Sequence, residues 1–382
     1  MPRRVLFLEV LTTIAGGQRA LLELMPLLSR RFEAIAVLPG EGPLAEALRS
    51  SGVQLNFLTM RPFTLVEKNW HDILNFILDT PRLILELSRL ARRQSINLVY
   101  INSSRALVWG TLGAWLSGLP VIWHAHNVLE DNKTRALVGL LASLPTVRKI
   151  VCPSNSAAAQ FARHRAKVVI VPYGIDLERF APSKDMRAQA RRELDIPPTA
   201  PVVGIIGDLI PLKGQDVFVQ AAIQVAQHLR DAVFLIIGGA RPNDASRHFL
   251  ATLESAIRNA PCDIRLLGAR SNIAELVNGL DVAVVASTTE TGPLVLLQAL
   301  ACGVPVVSTP VGMAVQLLED GECGSIFPTN DSRALAERLV QVLGQTEMRA
   351  RMSRAARQRS IEQIGLRGFQ TRVAEIIEHA IG

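Results

Sequence analysis

Short apolar runs alternate with amphipathic stretches from one end of the chain to the other. In the first half the apolar runs cover Arg4–Val10, Ala34–Leu38, Leu98–Ile101, Val121–Trp123, Ile150–Cys152 and Val168–Val171. In the second half they cover Val202–Ile206, Ala232–Ile237, Ile264–Leu267, Val282–Val285 and Val304–Val307. Runs this short and this uniformly apolar fit strands buried on both faces, and the stretches between them have helical spacing. The pattern predicts an α/β chain in which helices cover both faces of parallel sheets.

Phe180–Ala200, with APSKD and DIPPTAP, separates the two halves and reads as a connection between domains. Ser332–Gly382 is helical by period and rich in Arg and Glu, predicting two or three closing helices. The 382 residues, 49% of them hydrophobic, are too many for one ordinary domain and enough for two cores. No repeat or low-complexity segment interrupts them.

Neither long uncharged stretch reads as a membrane span. Gly118-Leu119-Pro120 divides Ala106–Trp123 into a helix and a strand, and Pro293, Pro305 and Pro310 break Thr291–Leu318. The opening MPRRVLFLEVLTTIAGG has the arginines of a signal peptide, but Glu9 interrupts its apolar run, so a first strand and a glycine turn are expected. Cys152, Cys262, Cys302 and Cys323 are scattered without Cys-x-x-Cys spacing and read as free thiols of a reducing compartment.

Charge is distributed unevenly. Residues 1–180 hold 21 Lys and Arg against 13 Asp and Glu, and the remainder holds 20 against 21, within a net charge of +7. The asymmetry suggests an anionic partner for the first half, a membrane surface or phospholipid-linked substrate, no nucleic-acid motif being present, while helix-end charge and solubility explain residues such as Arg30, Arg31, Arg92, Arg93, Arg148 and Lys149 equally well.

The richest stretch is STTETGPLVLLQALACGVPVVST, Ser287–Thr309. Glu290 precedes a Gly-Pro turn, an uncharged helix follows, and GVPVVST reads as a buried strand. Amides that open a helix carry partial positive charge, and beside a carboxylate they suit a phosphate attached to a polyol. Pro293 fits the first turn and leaves Leu294 and Val295 as the amide donors.

Further motifs occur in order: Gly16-Gly17 after the first strand, PVIWHAHN, CPSNSAAA, VPYGIDLERF, GDLIPLKG and ETGPLVLLQ. Together they resemble the retaining GT-B glycosyltransferases of family 4, the glycosyl transferases of group 1, over almost the entire chain. The resemblance implies two Rossmann-like domains with parallel sheets facing across a cleft: residues 1–180 binding the acceptor and 181–360 binding the nucleotide sugar. Residues 361–382 would form a terminal helix packing back toward the first domain.

Site residues are implied one by one. Gly16 and Gly17 let the backbone approach a ligand. His126, spaced from Pro120 as the family histidine is, would lie near the reacting sugar, where an imidazole donates a hydrogen bond or buffers positive charge; His124 reads as structural. Lys213 resembles the lysine that meets the donor diphosphate, and Glu290 the glutamate beside the hexosyl hydroxyls. No metal or other cofactor is implied, so fixed cations and helix dipoles would stabilise the departing diphosphate.

Three positions depart from the family. Asp208 stands where Arg or Lys is usual, and a carboxylate about 5 Å from a diphosphate costs on the order of 3 kcal/mol per phosphate charge at an effective dielectric of ~20. It would point away, be compensated by Arg241 or Arg270, or weaken the donor. Gln298 replaces the glutamate that accepts from ribose hydroxyls, keeping one acceptor oxygen and losing the charge. Tyr173 stands where asparagine is frequent. Ser154, Gly174 and Asp176 match family positions and read as turn and capping residues.

The expected activity is metal-independent hexosyl transfer from a nucleotide sugar to a glycan or lipid-linked acceptor, in the cytoplasm and peripherally at the membrane's inner face. Asp208 and Gln298 keep open a weak or inactive binding subunit, and the fold keeps open a sugar-nucleotide epimerase. A dinucleotide-dependent dehydrogenase is disfavoured because no Gly-x-Gly-x-x-Gly follows a strand.

Overall fold

Thirteen strands in two parallel sheets organise a computed structural model that describes residues 3–61, 70–129, 131–318 and 321–382. Most of Thr59–Asp72, whose sequence reads as a surface loop, and Glu319 and Asp320 of EDGECGSIF, which resembles the family's strand-like return after the donor pocket, lie outside the described residues.

The first sheet contains β1 (Arg4–Leu8), β2 (Glu33–Leu38), β3 (Gln54–Phe57), β4 (Leu98–Ile101), β5 (Val121–His124), β6 (Val147–Cys152) and β7 (Val168–Ile170), in the order β3-β2-β1-β4-β5-β6-β7. Its helices are α1 (Gly16–Arg31), α2 (Pro43–Ser50), α3 (Trp70–Arg93), α4 (Leu107–Leu116), α5 (Asn132–Ser143) and α6 (Asn155–Ala159).

The second sheet contains β8 (Val202–Ile206), β9 (Val233–Ile237), β10 (Asp263–Gly268), β11 (Val282–Val285), β12 (Val306–Ser308) and β13 (Gly324–Ile326), in the order β10-β9-β8-β11-β12-β13. Around it run α7 (Lys184–Glu193), α8 (Gln215–Ala226), α9 (Asp244–Arg258), α10 (Ile273–Gly279), α11 (Leu294–Ala301) and α12 (Ala314–Leu318). Three helices end the chain: α13 (Ser332–Gly344), α14 (Thr346–Gln363) and α15 (Leu366–Ile381).

Strands β4, β5, β9 and β11 are buried at every position, as expected where helices cover both faces of a sheet. The edge strand β3, Gln54-Leu55-Asn56-Phe57, has no apolar run to reveal it, because Gln54 and Phe57 are exposed and Leu55 and Asn56 only half-buried.

The chain divides into two compact units, Met1–Gly174 with Arg367–Gly382, and Ile175–Leu366. The division falls before residue 180 because Ile175 is already tied into the second unit: its N–H donates to Ile364 O at 2.8 Å and its carbonyl accepts from Leu366 N at 2.9 Å. Nor is Phe180–Ala200 a loose connection. Arg187 and Arg191 of α7 each reach Asp281 at 2.8 Å, and Arg191, almost fully buried, also donates to the carbonyls of Gly279, Pro198 and Ala200. Five donors and one shared carboxylate let a guanidinium lie inside the protein.

Residues from Arg367 onward belong to the first unit. Phe369 packs edge-on against Tyr173 with ring centroids 6.2 Å apart, and Gln370 donates to Glu23 O at 2.6 Å.

Candidate functional site

In a parallel sheet, loops from adjacent strands diverge where the strand order reverses, leaving room for a ligand beyond the strands' carboxyl ends. The second sheet reverses between β8 and β11. The β8 loop carries Asp208 and Lys213, and the β11 loop carries Glu290, so the topology places these predicted residues at the reversal.

Main-chain contacts fix that pairing. Thr288 N donates to Leu212 O at 2.9 Å, joining the two loops. Gly214 ends the lysine loop at φ +70°, and a Cβ there would stand 2.3 Å from the Ala286 carbonyl oxygen, so both conformation and space demand glycine. On the other side, Gly312 (φ +52°) brings the β12 loop so close that a Cβ would meet Thr291 backbone at 2.7 Å. Thr309 Oγ1 donates to Ser287 O at 2.6 Å.

Within this frame the Lys213 ammonium forms an ion pair with Glu290 Oε1, and both side chains are partly exposed. Ser287 Oγ lies 3.5 Å from the same oxygen. The two residues that sequence reading assigned to phosphate and sugar are therefore brought together.

Helix α11 opens next to Glu290 with Pro293 as N-cap, which supplies no capping side chain. Leu294, Val295 and Gln298 fall on one face by helical spacing and are all half-buried, whereas Leu296, Leu297, Ala299 and Leu300 are in the core. One wet face therefore carries the opening residues and Gln298 together.

Asp208 is met by a cation. Its Oδ2 accepts from Arg241 Nε and Nη2, each at 2.9 Å, and its main-chain oxygen accepts from Gln215 Nε2 at 2.9 Å. Arg270 donates instead to Leu267 O at 3.1 Å, so of the two arginines considered from sequence, Arg241 is the partner.

The remaining predicted residues, Gly16, Gly17 and His126, lie in the first unit. Its sheet reverses between β1 and β4. Gly17 lies under His126: a Cβ there would stand 3.1 Å from the imidazole ring, while Gly16 has open space.

Glu9, used in sequence reading only to interrupt an apolar run, is fully buried at this reversal. Its Oε1 accepts from Val10 N at 2.8 Å and Leu11 N at 3.2 Å, and its Oε2 from Gln18 Nε2 at 2.9 Å and Asn102 Nδ2 at 2.8 Å. Burial pushes the Glu9 carboxyl up, and these four donors oppose the rise. Asn102 Oδ1 meets His126 Nε2 at 2.8 Å, and His126 Nδ1 meets the Tyr173 hydroxyl at 2.6 Å.

His126 is held down to about 3 by burial and is neutral at pH 7. His124 lies tilted against it, with ring centroids 3.9 Å apart, and pairs with the Tyr100 hydroxyl at 2.8 Å; burial, then the neighbouring His126, hold it well below its usual range. Sequence reading gave no account of Tyr173. The structure supplies one, since a phenol spans the distance to the imidazole. The signal for Glu9 was a lone carboxylate ending an apolar strand, which has to be satisfied internally.

The profile of the family described as Glycosyltransferase Family 4 matches residues 14–179, and that of Glycosyl transferases group 1 matches residues 186–359. The chain belongs to this glycosyltransferase family. It is 25% identical over 354 residues to the Escherichia coli UDP-Gal:alpha-D-GlcNAc-diphosphoundecaprenol alpha-1,3-galactosyltransferase, covering 89% of this chain and 87% of that one. It is 32% identical over 272 residues to the D-inositol 3-phosphate glycosyltransferase of Saccharomonospora viridis, covering 65% of this chain and under two thirds of that one, 62%. The crystal structure of Anabaena HepE in complex with UDP superposes with a TM-score of 0.86 at 20% identity, over 98% of this chain and 100% of that one; the same protein has been crystallised with UDP-glucose. The fold of this group 1 member is thus GT-B.

Proposed function

We propose that the protein moves a hexosyl group from a nucleotide sugar to a glycan or lipid-linked acceptor, retaining anomeric configuration and needing no metal. The observation that carries this is the meeting of Lys213 and Glu290 at the β8/β11 reversal, beside the wet opening face of α11. Lys213 would shift from Glu290 to the donor diphosphate, and Glu290 would accept from hexosyl hydroxyls. The amides of Leu294 and Val295 would add helix-end dipoles as negative charge grows on the departing diphosphate. Gln298, one turn on, would bind ribose with its amide.

Arg241 at Asp208 favours the enzyme over an inactive binding subunit. It neutralises the carboxylate that would otherwise repel a diphosphate, and brings a cation to the loop where the family has its own.

The first unit would bind the acceptor. Along α3, Trp70, Ile73, Leu74, Ile77, Leu78 and Leu85 are exposed at helical spacing on one face, with Trp70 64% and Ile77 59% accessible. Exposed Arg89, Arg92 and Arg93 follow on the same helix. An apolar face flanked by cations suits a helix lying in an anionic membrane surface, where a lipid-linked acceptor is presented. Among the described residues no helix is long and apolar enough to cross a membrane.

Release of nucleoside diphosphate from UDP-, GDP- and ADP-sugars, with Lys213→Ala as control, tests the reading. Turnover with one donor, lost in the variant and unaffected by a chelator, is expected. No turnover with any donor, alongside retained binding of a protein partner, would sink it.

A further inference from the structure

Hydrogen-bond polarity in the first unit is dictated from one end. An ionised carboxylate accepts and never donates. All four contacts to Glu9 come from N–H groups, two on each oxygen, so no neighbour remains to accept a carboxyl proton.

Asn102 must therefore point its amide nitrogen at Glu9. That nitrogen also faces the Gly17 carbonyl at 3.3 Å, a second group able only to accept. Two such neighbours fix the amide, leaving Asn102 Oδ1 toward His126 Nε2. The hydrogen at that contact can come only from the imidazole. His126 is then the Nε2–H tautomer, and its Nδ1 lone pair takes the proton of the Tyr173 hydroxyl at 2.6 Å.

We propose that Glu9, acting through Asn102, is a positioning residue that holds His126 as the Nε2–H tautomer, so that its Nδ1 accepts a hydrogen bond from a hydroxyl of the bound sugar in place of Tyr173. The Tyr173 hydroxyl marks the position and polarity of that ligand group. The catalytic half of the inference rests on the glycosyltransferase reading; the tautomer half stands on the geometry alone.

Glu9→Gln separates the two halves. A glutamine keeps the shape and the oxygen toward Val10 and Leu11, but opposes its NH2 to those of both Gln18 and Asn102; Gln18 is held in place by the Ala15 N–H on its Oε1. Asn102 then turns over, giving up its longer 3.3 Å contact with the Gly17 carbonyl, its nitrogen donates to His126 Nε2, and the proton moves to Nδ1. Long-range 1H–15N spectra of protein labelled at histidine distinguish the two tautomers, with the His126 signal assigned by its loss in His126→Asn.

The wild type should show Nε2–H and Glu9→Gln should show Nδ1–H. Glu9→Gln with Asn102→Asp should restore Nε2–H, because the new carboxylate accepts from both sides. Tyr173→Phe should leave the tautomer as in the wild type. Steady-state rates should follow the spectra: kcat falls at least about tenfold in Glu9→Gln, with donor KM little changed, and recovers in the double variant. If Glu9→Gln does not fold, Asn102→Ala, which removes the acceptor, should give a mixture of tautomers.

Retention of Nε2–H in folded Glu9→Gln, or a tautomer that follows Tyr173 instead, overturns the assignment. An inverted tautomer with unchanged kcat overturns the role in transfer. If the wild type transfers no sugar at all, the glycosyltransferase reading fails while the spectra still decide the tautomer.

Discussion

The main-chain N–H of Thr288 donates to the Leu212 carbonyl at 2.9 Å, so the loop holding Glu290 and the loop holding Lys213 move as one piece. Each of these two candidate side chains is mounted close to that bond. Removing the ammonium should therefore leave the frame intact. Lys213→Ala should lower kcat/KM by about 10²–10³-fold, the scale of a lost transition-state donor, with the melting temperature nearly unchanged. A variant that instead unfolds, or keeps full activity, removes Lys213 from the donor site.

Gly214→Ala should act in the opposite way, through the frame. The methyl group meets the Ala286 carbonyl and a φ of +70°, so destabilisation of about 1–3 kcal/mol is expected. That corresponds to a melting point lower by several degrees in a unit of this size, about 2–4 °C per kcal/mol. Thermal unfolding of the purified variant reads it directly.

Arg241 and Asp208 are both substantially exposed, so their bond should add no more than about 1 kcal/mol to stability. Its weight falls on binding. Arg241→Ala should raise donor KM several-fold by leaving the carboxylate uncompensated, and the further change Asp208→Ala should bring KM back down. Equal KM values in all three proteins place this pair away from the diphosphate.

Much of this arrangement was legible in the sequence, and for definite reasons. The strands of both cores show as apolar runs because parallel strands are buried on two faces, and Lys213 and Glu290 sit in loops whose glycines mark close backbone approach. Strands β3 and β13 did not show as apolar runs, since edge strands such as Gln54–Phe57 and Gly324–Ile326 need none. The domain boundary was displaced because proline and charge in Phe180–Ala200 look like a linker until Asp281, far along the chain, supplies the partner of Arg187 and Arg191. The Glu9 network stayed hidden for the same reason: its members come from four separate segments, and spacing carries no trace of contacts made only by folding.

Acid should destabilise the protein through its paired histidines. The unfolded chain titrates near 6.5, whereas burial holds folded His126 near about 3 and His124 also well below its usual range. Below 6.5 the unfolded state binds more protons, so stability falls as pH drops through that range, by up to about 1.4 kcal/mol per pH unit per histidine. Glu9, raised by burial, works the other way just above 4.5. Denaturant midpoints between pH 7 and pH 5 should show the loss, and His126→Asn should reduce its slope.

On the outer face of α3, Ile77→Glu should abolish sedimentation with vesicles containing phosphatidylglycerol while leaving donor hydrolysis unchanged. Neutral phosphatidylcholine vesicles should bind the wild type weakly, because the arginines contribute only against anionic lipid. If Ile77→Glu instead converts a dimer into a monomer with no change in vesicle binding, a second copy covers the stripe.

The N-terminal unit is assembled from both ends of the polypeptide: Arg31 bonds Glu378 at 3.3 Å, and Arg3 Nη2 reaches the Gly382 carbonyl at 3.1 Å. Head and tail thus lie side by side. An expressed fragment stopped after Gly174 would lack Phe369 against Tyr173 and leave a raw apolar seam. Placing Arg367–Gly382 ahead of Met1 through a brief spacer would turn this lobe into one uninterrupted stretch of chain.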